Sequence, residues 1–110
     1  MKQEPFDKRI VLQRLDQNGE WEDWLQLMAR VNRTGGAERH DYGARRAAFS
    51  LTFEVRYLSA LHAIYLNTQD FRIIYRDAVF YVEDYDDFKE RHHTVKLEGV
   101  CNGEGYDQHY

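Results

Sequence analysis

The chain has 110 residues, a length that supplies one hydrophobic core and one domain. Hydrophobic residues make up 43% of it and charged residues 31%, which argues against a disordered chain and against a membrane protein. The net charge is −4, which argues against a protein that coats nucleic acid. No signal peptide is expected, and the single cysteine, Cys101, excludes an internal disulfide. Composition therefore predicts a soluble intracellular domain.

Alternating apolar and polar residues predict six β-strands, because successive side chains of a strand point to opposite faces of a sheet. The clearest alternation lies in residues 47–57, where five apolar side chains share one face: Phe49, Leu51, Phe53, Val55 and Tyr57. The same criterion places the other strands at residues 8–15, 25–31, 71–76, 78–83 and 94–101. Short strands separated by turn residues predict an all-β fold, a small antiparallel barrel or sandwich.

Two dipeptides mark turns between these strands. Asn18-Gly19 follows the first strand and predicts a hairpin, because both residues accept positive φ. Arg76-Asp77 is the polar break between two apolar runs and predicts a two-residue hairpin turn.

The remaining connections carry weaker patterns. Residues 58–70 are expected to contain a helical turn. The apolar residues of this segment that are spaced as in a helix are Leu58, Leu61 and Tyr65. Residues 84–93 are expected to form a charged, solvated connection into the last strand. The domain is expected to span residues 1–101, and residues 102–110 form a polar tail.

Residues 32–48 form the longest interruption, 17 residues where a hairpin loop normally takes about 2 to 5. Four arginines against two acids give this loop a net charge of +2, while the rest of the chain carries −6. A long basic loop on an acidic domain predicts contact with an anion or an acidic partner surface. A solvated loop of mixed charge is the alternative. The candidate functional residues are Arg33, Gly35, Gly36, Arg39, His40, Tyr42, Gly43, Arg45 and Arg46.

No motif for catalysis, metal binding or cofactor binding is found in the sequence, so we expect no enzyme, no metal and no cofactor. His92 and His93 are adjacent, and in a strand they would point to opposite faces, so they cannot chelate one ion together. An acidic run lacks the glycine and the alternation of a calcium-binding loop. It comprises Glu83, Asp84, Asp86, Asp87 and Glu90.

Trp21 and Trp24 lie three residues apart near the start of the second strand. They are interpreted as packing or inter-subunit residues, since tryptophan is amphipathic and enriched at interfaces. The alternative is a barrel that binds single-stranded nucleic acid, in which these two residues and Tyr42 stack on bases. The acidic charge balance counts against that alternative.

A set of short motifs runs in order along the predicted strands. Residues 9–14, RIVLQR, fit the pattern R-[IV]-x-[IL]-Q-R in the first strand. Trp21, Ala29 and Val31 fit the pattern W-xxxxxxx-A-x-V in the second strand. The long loop follows.

The third strand then ends in Arg56-Tyr57, which fits R-[YF], and residues 72–82 fit the hairpin pattern R-[IV]-x-Y-R-G-x-x-[FY]-x-[IV] except at its glycine. In order and spacing, the chain resembles the head-to-tail joining proteins (stopper or head-closure proteins) of long-tailed bacteriophages over nearly the whole domain. Met28 and Asp77 stand where that family commonly has tryptophan and glycine.

The resemblance implies a structural protein of the phage neck. It implies a ring, a hexamer or a dodecamer, beneath the portal or adaptor ring, with a tail-completion or tail protein below. It further implies that residues 32–48 project toward the channel, where the arginines contact packaged double-stranded DNA or an acidic neighbouring ring. The glycines of the loop would serve as hinges when DNA is ejected. The implied location is the virion neck, after assembly in the host cytoplasm, without membrane contact.

Overall fold

The computed structural model describes residues 5–33, 49–87 and 90–101 of the chain. Six antiparallel strands close into a barrel in the order β1-β2-β3-β6-β5-β4, which confirms the predicted all-β class. The strands are β1 (Lys8–Leu15), β2 (Trp21–Arg33), β3 (Phe49–Arg56), β4 (Phe71–Tyr75), β5 (Ala78–Asp86) and β6 (Thr94–Cys101). A five-residue helix, α1 (His62–Leu66), lies between the 3-10 turns Ser59–Leu61 and Thr68–Asp70.

Two strands are longer than the sequence pattern predicted. The second was expected at residues 25–31, but β2 continues to Arg33, because Asn32 and Arg33 pair with Thr52 and Leu51 of β3. The prediction that the long loop begins at residue 32 is therefore wrong. The fifth strand continues to Asp86 because β6 pairs with its polar end, and the charged connection accordingly begins later than residue 84.

The inward faces of all six strands form one core. Phe53 of β3 and Phe80 of β5 are almost fully buried, and their rings meet edge to face at 5.3 Å. Gly99 of β6 permits this contact: a Cβ atom there would lie 2.9 Å from Cβ of Phe80 and 3.3 Å from Cε1 of Phe53. A side chain at this position would push these two rings apart.

The connection between β3 and β4 covers one end of this core. The predicted helical turn is present, and one of its three spaced apolar residues, Leu61, is buried. Leu61 and Ile64 are fully buried, whereas Leu58 is 40% and Tyr65 58% exposed. The spacing of three residues places Leu61 and Ile64 on the same side of the short helix, toward the barrel, so Tyr65 is turned away from it.

The two marked turns differ from each other in conformation. The first connection is a five-residue loop, in which Oδ1 of Asp16 accepts hydrogen bonds from the backbone N–H of Asn18 and Glu20. Gly19 has a positive φ of 80°, whereas Asn18 does not, and the hairpin predicted at this dipeptide is confirmed. At Arg76-Asp77, the φ values of 54° and 65° are those of a type I′ turn, as the two-residue hairpin requires.

Connections alternate between the two ends of the barrel, because every paired strand is antiparallel to its neighbour. The β1–β2, β3–β4 and β5–β6 connections lie at one end, which we call the helical end because it carries α1. The opposite end, which we call the hairpin end, carries the turn at residues 76–77. It also carries the end of β2 at Arg33 and the start of β3 at Phe49.

We predict that Gly99→Ala lowers the free energy of unfolding by about 1–3 kcal/mol, because the added methyl overpacks the contact between Phe53 and Phe80. Urea denaturation of the purified protein measures this change. Lys96→Ala, at an exposed position of the same strand, is the control and should change stability by less than about 0.5 kcal/mol. Equal stability of Gly99→Ala and wild type would contradict the packing argument.

Candidate functional site

Of the candidate loop residues, Arg33 is the one that the structure describes. It is exposed at the end of β2, and its guanidinium carbon lies 5.8 Å from the ring centre of Phe49. The other loop candidates lie outside the described residues: Gly35, Gly36, Arg39, His40, Tyr42, Gly43, Arg45 and Arg46. Their proposed contacts with DNA or with a partner stay a prediction.

Trp24 packs against the core because a β-bulge interrupts the pairing of β1 with β2. The pairing of β1 with β2 shifts between Leu12 and Gln13, so that Trp24 is left without a partner residue on β1. The bulge turns its indole toward Phe71, at a ring distance of 5.0 Å. The guanidinium of Arg14 lies 5.3 Å from the same indole. Trp24 therefore contributes to the packing of its own barrel.

Trp21 belongs to a network on the outer face of the barrel. The guanidinium of Arg72 lies 4.5 Å from its ring centre, and Tyr81 meets it edge to face at 6.3 Å. Nε of Arg72 donates to Gln13 at 2.7 Å, and the amide of Gln13 donates to Asp23, also at 2.7 Å. Both indoles thus already contact side chains of their own barrel, and the alternative of base stacking gains no support from them.

A pocket at the helical end was missed by the sequence analysis. Its volume is about 600 Å³, and it lies between the β3–β4 connection, the end of β5 and the β5–β6 connection. Aromatic rings, imidazoles and carboxylates line it, and we call it the acid-aromatic pocket. Its described lining residues are Tyr57, Ser59, His62, Tyr65, Tyr85, Asp86, Asp87, Glu90 and His92.

The pair of His92 and Asp87 orders one side of this pocket. Nδ1 of His92 lies 2.6 Å from Oδ2 of Asp87, and the backbone N–H of His92 donates to Oδ1 at 2.9 Å. The imidazole also stacks on Tyr57, with ring centres 4.3 Å apart. Partial burial favours the neutral carboxyl, but the two hydrogen bonds from His92 and the charges of His92 and His93 outweigh it, so the pKa of Asp87 is lowered. Asp87 is therefore an ionised acceptor at neutral pH.

Tyr85 forms the other side of the pocket. Among the described residues, none forms a hydrogen bond with its buried hydroxyl oxygen, Oη. Burial and then the negative charge of Asp87 raise the pKa of Tyr85 to about 12, so the phenol stays neutral at physiological pH. Its ring lies 5.6 Å from that of Tyr65, which is itself 5.5 Å from His62.

The sequence analysis placed His92 and His93 in the connection before the last strand, and the structure agrees, since β6 begins at Thr94. The contacts between His92 and the pocket residues were not predicted. His92 has a positive φ of 59°, which aims its ring back at Asp87 and Tyr57. An acid followed five residues later by histidine, across a short connection between strands, is the feature of the sequence that could have indicated this pair.

The described residues contain neither a cluster of metal-binding side chains nor a membrane-spanning helix. No group of three or more histidine, cysteine, aspartate or glutamate side chains is arranged to hold a metal ion in residues 5–33, 49–87 and 90–101. Over the same residues, no helix has the length and apolar character needed to cross a membrane.

Comparison with known proteins gives a likeness in fold. No protein-family model matches the chain, and no curated protein matches it. Among solved structures, a chain from the virion of a native gene transfer agent particle superposes with a TM-score of 0.63 and 18% sequence identity. The likeness covers 89% of this chain and 96% of that chain. It shows that the two chains share one fold over nearly their full lengths.

We predict that the carboxylate of Asp87 stabilises the fold above about pH 4 and that this contribution disappears in acid. A lowered folded-state pKa gives stability that is present above the unfolded value, near 3.8, and lost as pH falls through the folded value. Asp87→Asn should therefore be less stable than wild type at about pH 6, and the difference should shrink toward about pH 3. Urea denaturation across this range measures it.

Asp84→Asn is the matched control, since Asp84 is an exposed carboxylate on β5 outside the pocket. Its stability should follow that of wild type throughout the range. A difference between Asp87→Asn and wild type that is independent of pH would show that Asp87 acts through its shape and not through its charge.

Proposed function

We propose that the protein is a structural, non-enzymatic component of a phage-like virion and forms the connector ring between head and tail. The observation that carries the proposal is the shared barrel: a chain of the virion of a gene transfer agent has this fold over 96% of its length. The ordered motifs of the sequence, which resemble those of head-to-tail joining proteins, support the same assignment independently.

The charge distribution of the chain suits a channel that holds and releases DNA. Outside residues 32–48 the net charge is −6, and an acidic channel wall repels the duplex and lets it slide. The four arginines of that segment supply contacts to phosphate that are independent of base sequence. Repetition around a ring multiplies these weak contacts by the number of subunits.

In this proposal the ring is a hexamer or dodecamer that lies below the portal or adaptor and above a tail-completion or tail protein. It is located in the neck of the finished virion and assembles in the host cytoplasm. Its arginine-rich segment faces either packaged DNA or the neighbouring ring. It needs no cofactor or membrane.

Electron microscopy of the purified protein and of isolated neck complexes tests the ring. We expect closed rings with cyclic symmetry. When each identical subunit contacts the next through two different faces, the chain of subunits closes into a ring if the rotation from one subunit to the next is a whole fraction of 360°. Neck complexes in which this protein occurs as a single copy, together with single barrels in the purified sample, would contradict the proposal.

We predict that Arg45→Ala combined with Arg46→Ala leaves the fold intact but yields particles that lose DNA or fail to join tails. The two changes remove cations from the proposed contact surface and lie outside the described barrel. Nuclease-protected DNA per particle and the fraction of heads with tails measure the effect. Arg9→Ala, at an exposed position of β1, is the control.

Wild-type DNA retention and tail joining in the double variant would refute the role of the segment. Cross-linking from this segment in filled particles separates the two forms of the proposal. Cross-links to DNA support phosphate contact, whereas cross-links to protein support an acidic neighbouring ring.

A further inference from the structure

The acid-aromatic pocket has the composition of a receptor for a cationic side chain. The rings of Tyr65 and Tyr85 both line it, with their centres 5.6 Å apart and their planes tilted by 53°. A guanidinium or ammonium group near such a ring is attracted to the negative charge of its face. The pocket is also large enough, at about 600 Å³, to admit a long side chain together with part of the backbone that carries it.

Carboxylates complement a cation at the same place. Asp86 and Glu90 are exposed and line the pocket beside the rings. Asp87 lies deeper, with its side chain 8% exposed, and is held by His92. A cation placed between the rings and these carboxylates would form a cation–π interaction and an ion pair together. Both are stronger where the site is partly shielded from water.

The hydroxyl of Tyr85 provides a third and independent indication of a ligand. Its Oη atom is buried, and among the described residues it has no hydrogen-bond partner, an arrangement that costs stability unless a ligand group satisfies it. A neutral phenol oxygen accepts a hydrogen bond from an N–H donor. A planar guanidinium can donate to two acceptors at once, which a compact ammonium does less well.

The barrel already uses contacts of this kind elsewhere. Arg30 and Arg56 lie 4.1 Å and 4.4 Å from the ring centre of Phe6 and hold it between them. Arg72 lies 4.5 Å from that of Trp21. In these cases one chain supplies both the cation and the ring, whereas the acid-aromatic pocket opens to solvent at the helical end.

We propose that the acid-aromatic pocket binds an arginine side chain presented by an extended segment of a different protein. Charge complementarity and the unsatisfied Oη of Tyr85 select arginine as the ligand group. This assignment is independent of the proposed ring, since a single barrel contains the whole pocket. In an assembly, repetition of the contact would raise its overall strength well above that of one site.

Titration of the isotope-labelled protein with short peptides tests the proposal by nuclear magnetic resonance. The three probes are the peptide Ac-Gly-Arg-Gly-NH₂ and two variants of it, with lysine or with citrulline in place of arginine. We expect saturable shifts at the pocket residues with a dissociation constant on the order of 1 mM for the arginine peptide. Binding should be several times weaker for lysine and absent for citrulline, which keeps the shape and lacks the charge.

Two variants of exposed pocket residues test the two attractive contributions separately. Tyr65→Ala removes a ring and Glu90→Gln removes a charge. Each variant should weaken binding of the arginine peptide by about tenfold or less, and each should keep the spectrum of a folded protein. Glu83→Gln, an equally exposed position of β5 outside the pocket, is the control and should bind like wild type.

The following outcomes would overturn the proposal. They are equal binding of arginine and citrulline peptides, shifts that do not saturate, and shifts centred away from the pocket. Self-association that the peptide displaces would identify a second copy as the occupant and overturn the assignment to a different protein. Rings seen by microscopy without peptide binding would leave the connector proposal standing and refute this one.

Discussion

Closure of the barrel between β1 and β4 is the constraint on which the other features of the molecule depend. Four residue pairs join these strands, from Val11 with Ile74 to Arg14 with Phe71. Gln13 lies within this region, is 4% exposed, and bridges Asp23 of β2 and Arg72 of β4. A buried amide that loses its partners costs about 1–3 kcal/mol, so the bridge favours this register over a shifted one.

A closed barrel leaves recognition to its connections. The described strands form a continuous ring of pairs, so no strand edge is offered to a partner by that ring. The pocket at the helical end is formed mainly by such connections. Tyr57 and Tyr65 come from the β3–β4 connection, whereas Tyr85 and His92 come from the end of β5 and the connection after it. The pairing of β3, β6 and β5 brings these separated segments together.

The fold class and the approximate strands could be predicted because alternation of apolar residues reports directly on the two faces of a sheet. The alternation in Phe49–Arg56 is the best case, since Phe53 and Val55 are buried. Strand ends that carry polar residues, such as Asp86, could not be predicted, because pairing with a neighbour extends a strand regardless of polarity.

The pocket was not found from periodicity for a related reason. His92 contacts Asp87 and Tyr57 through a backbone conformation with positive φ, which histidine adopts infrequently and which no periodicity signals. Trp24 is a further example, because the bulge that turns it toward Phe71 depends on the register of β1 against β2. The placement of Trp24 depends on strand register and that of His92 on a local backbone conformation, and hydrophobic periodicity reports neither.

Arg33 of the arginine-rich segment lies at the hairpin end of the barrel, while the carboxylates of the pocket lie at the helical end. The eight residues of β3 span roughly 26 Å between these ends. That distance is about three times the screening length of roughly 8 Å at physiological salt. At that separation the pocket carboxylates do not offset the charge of Arg33 at the hairpin end.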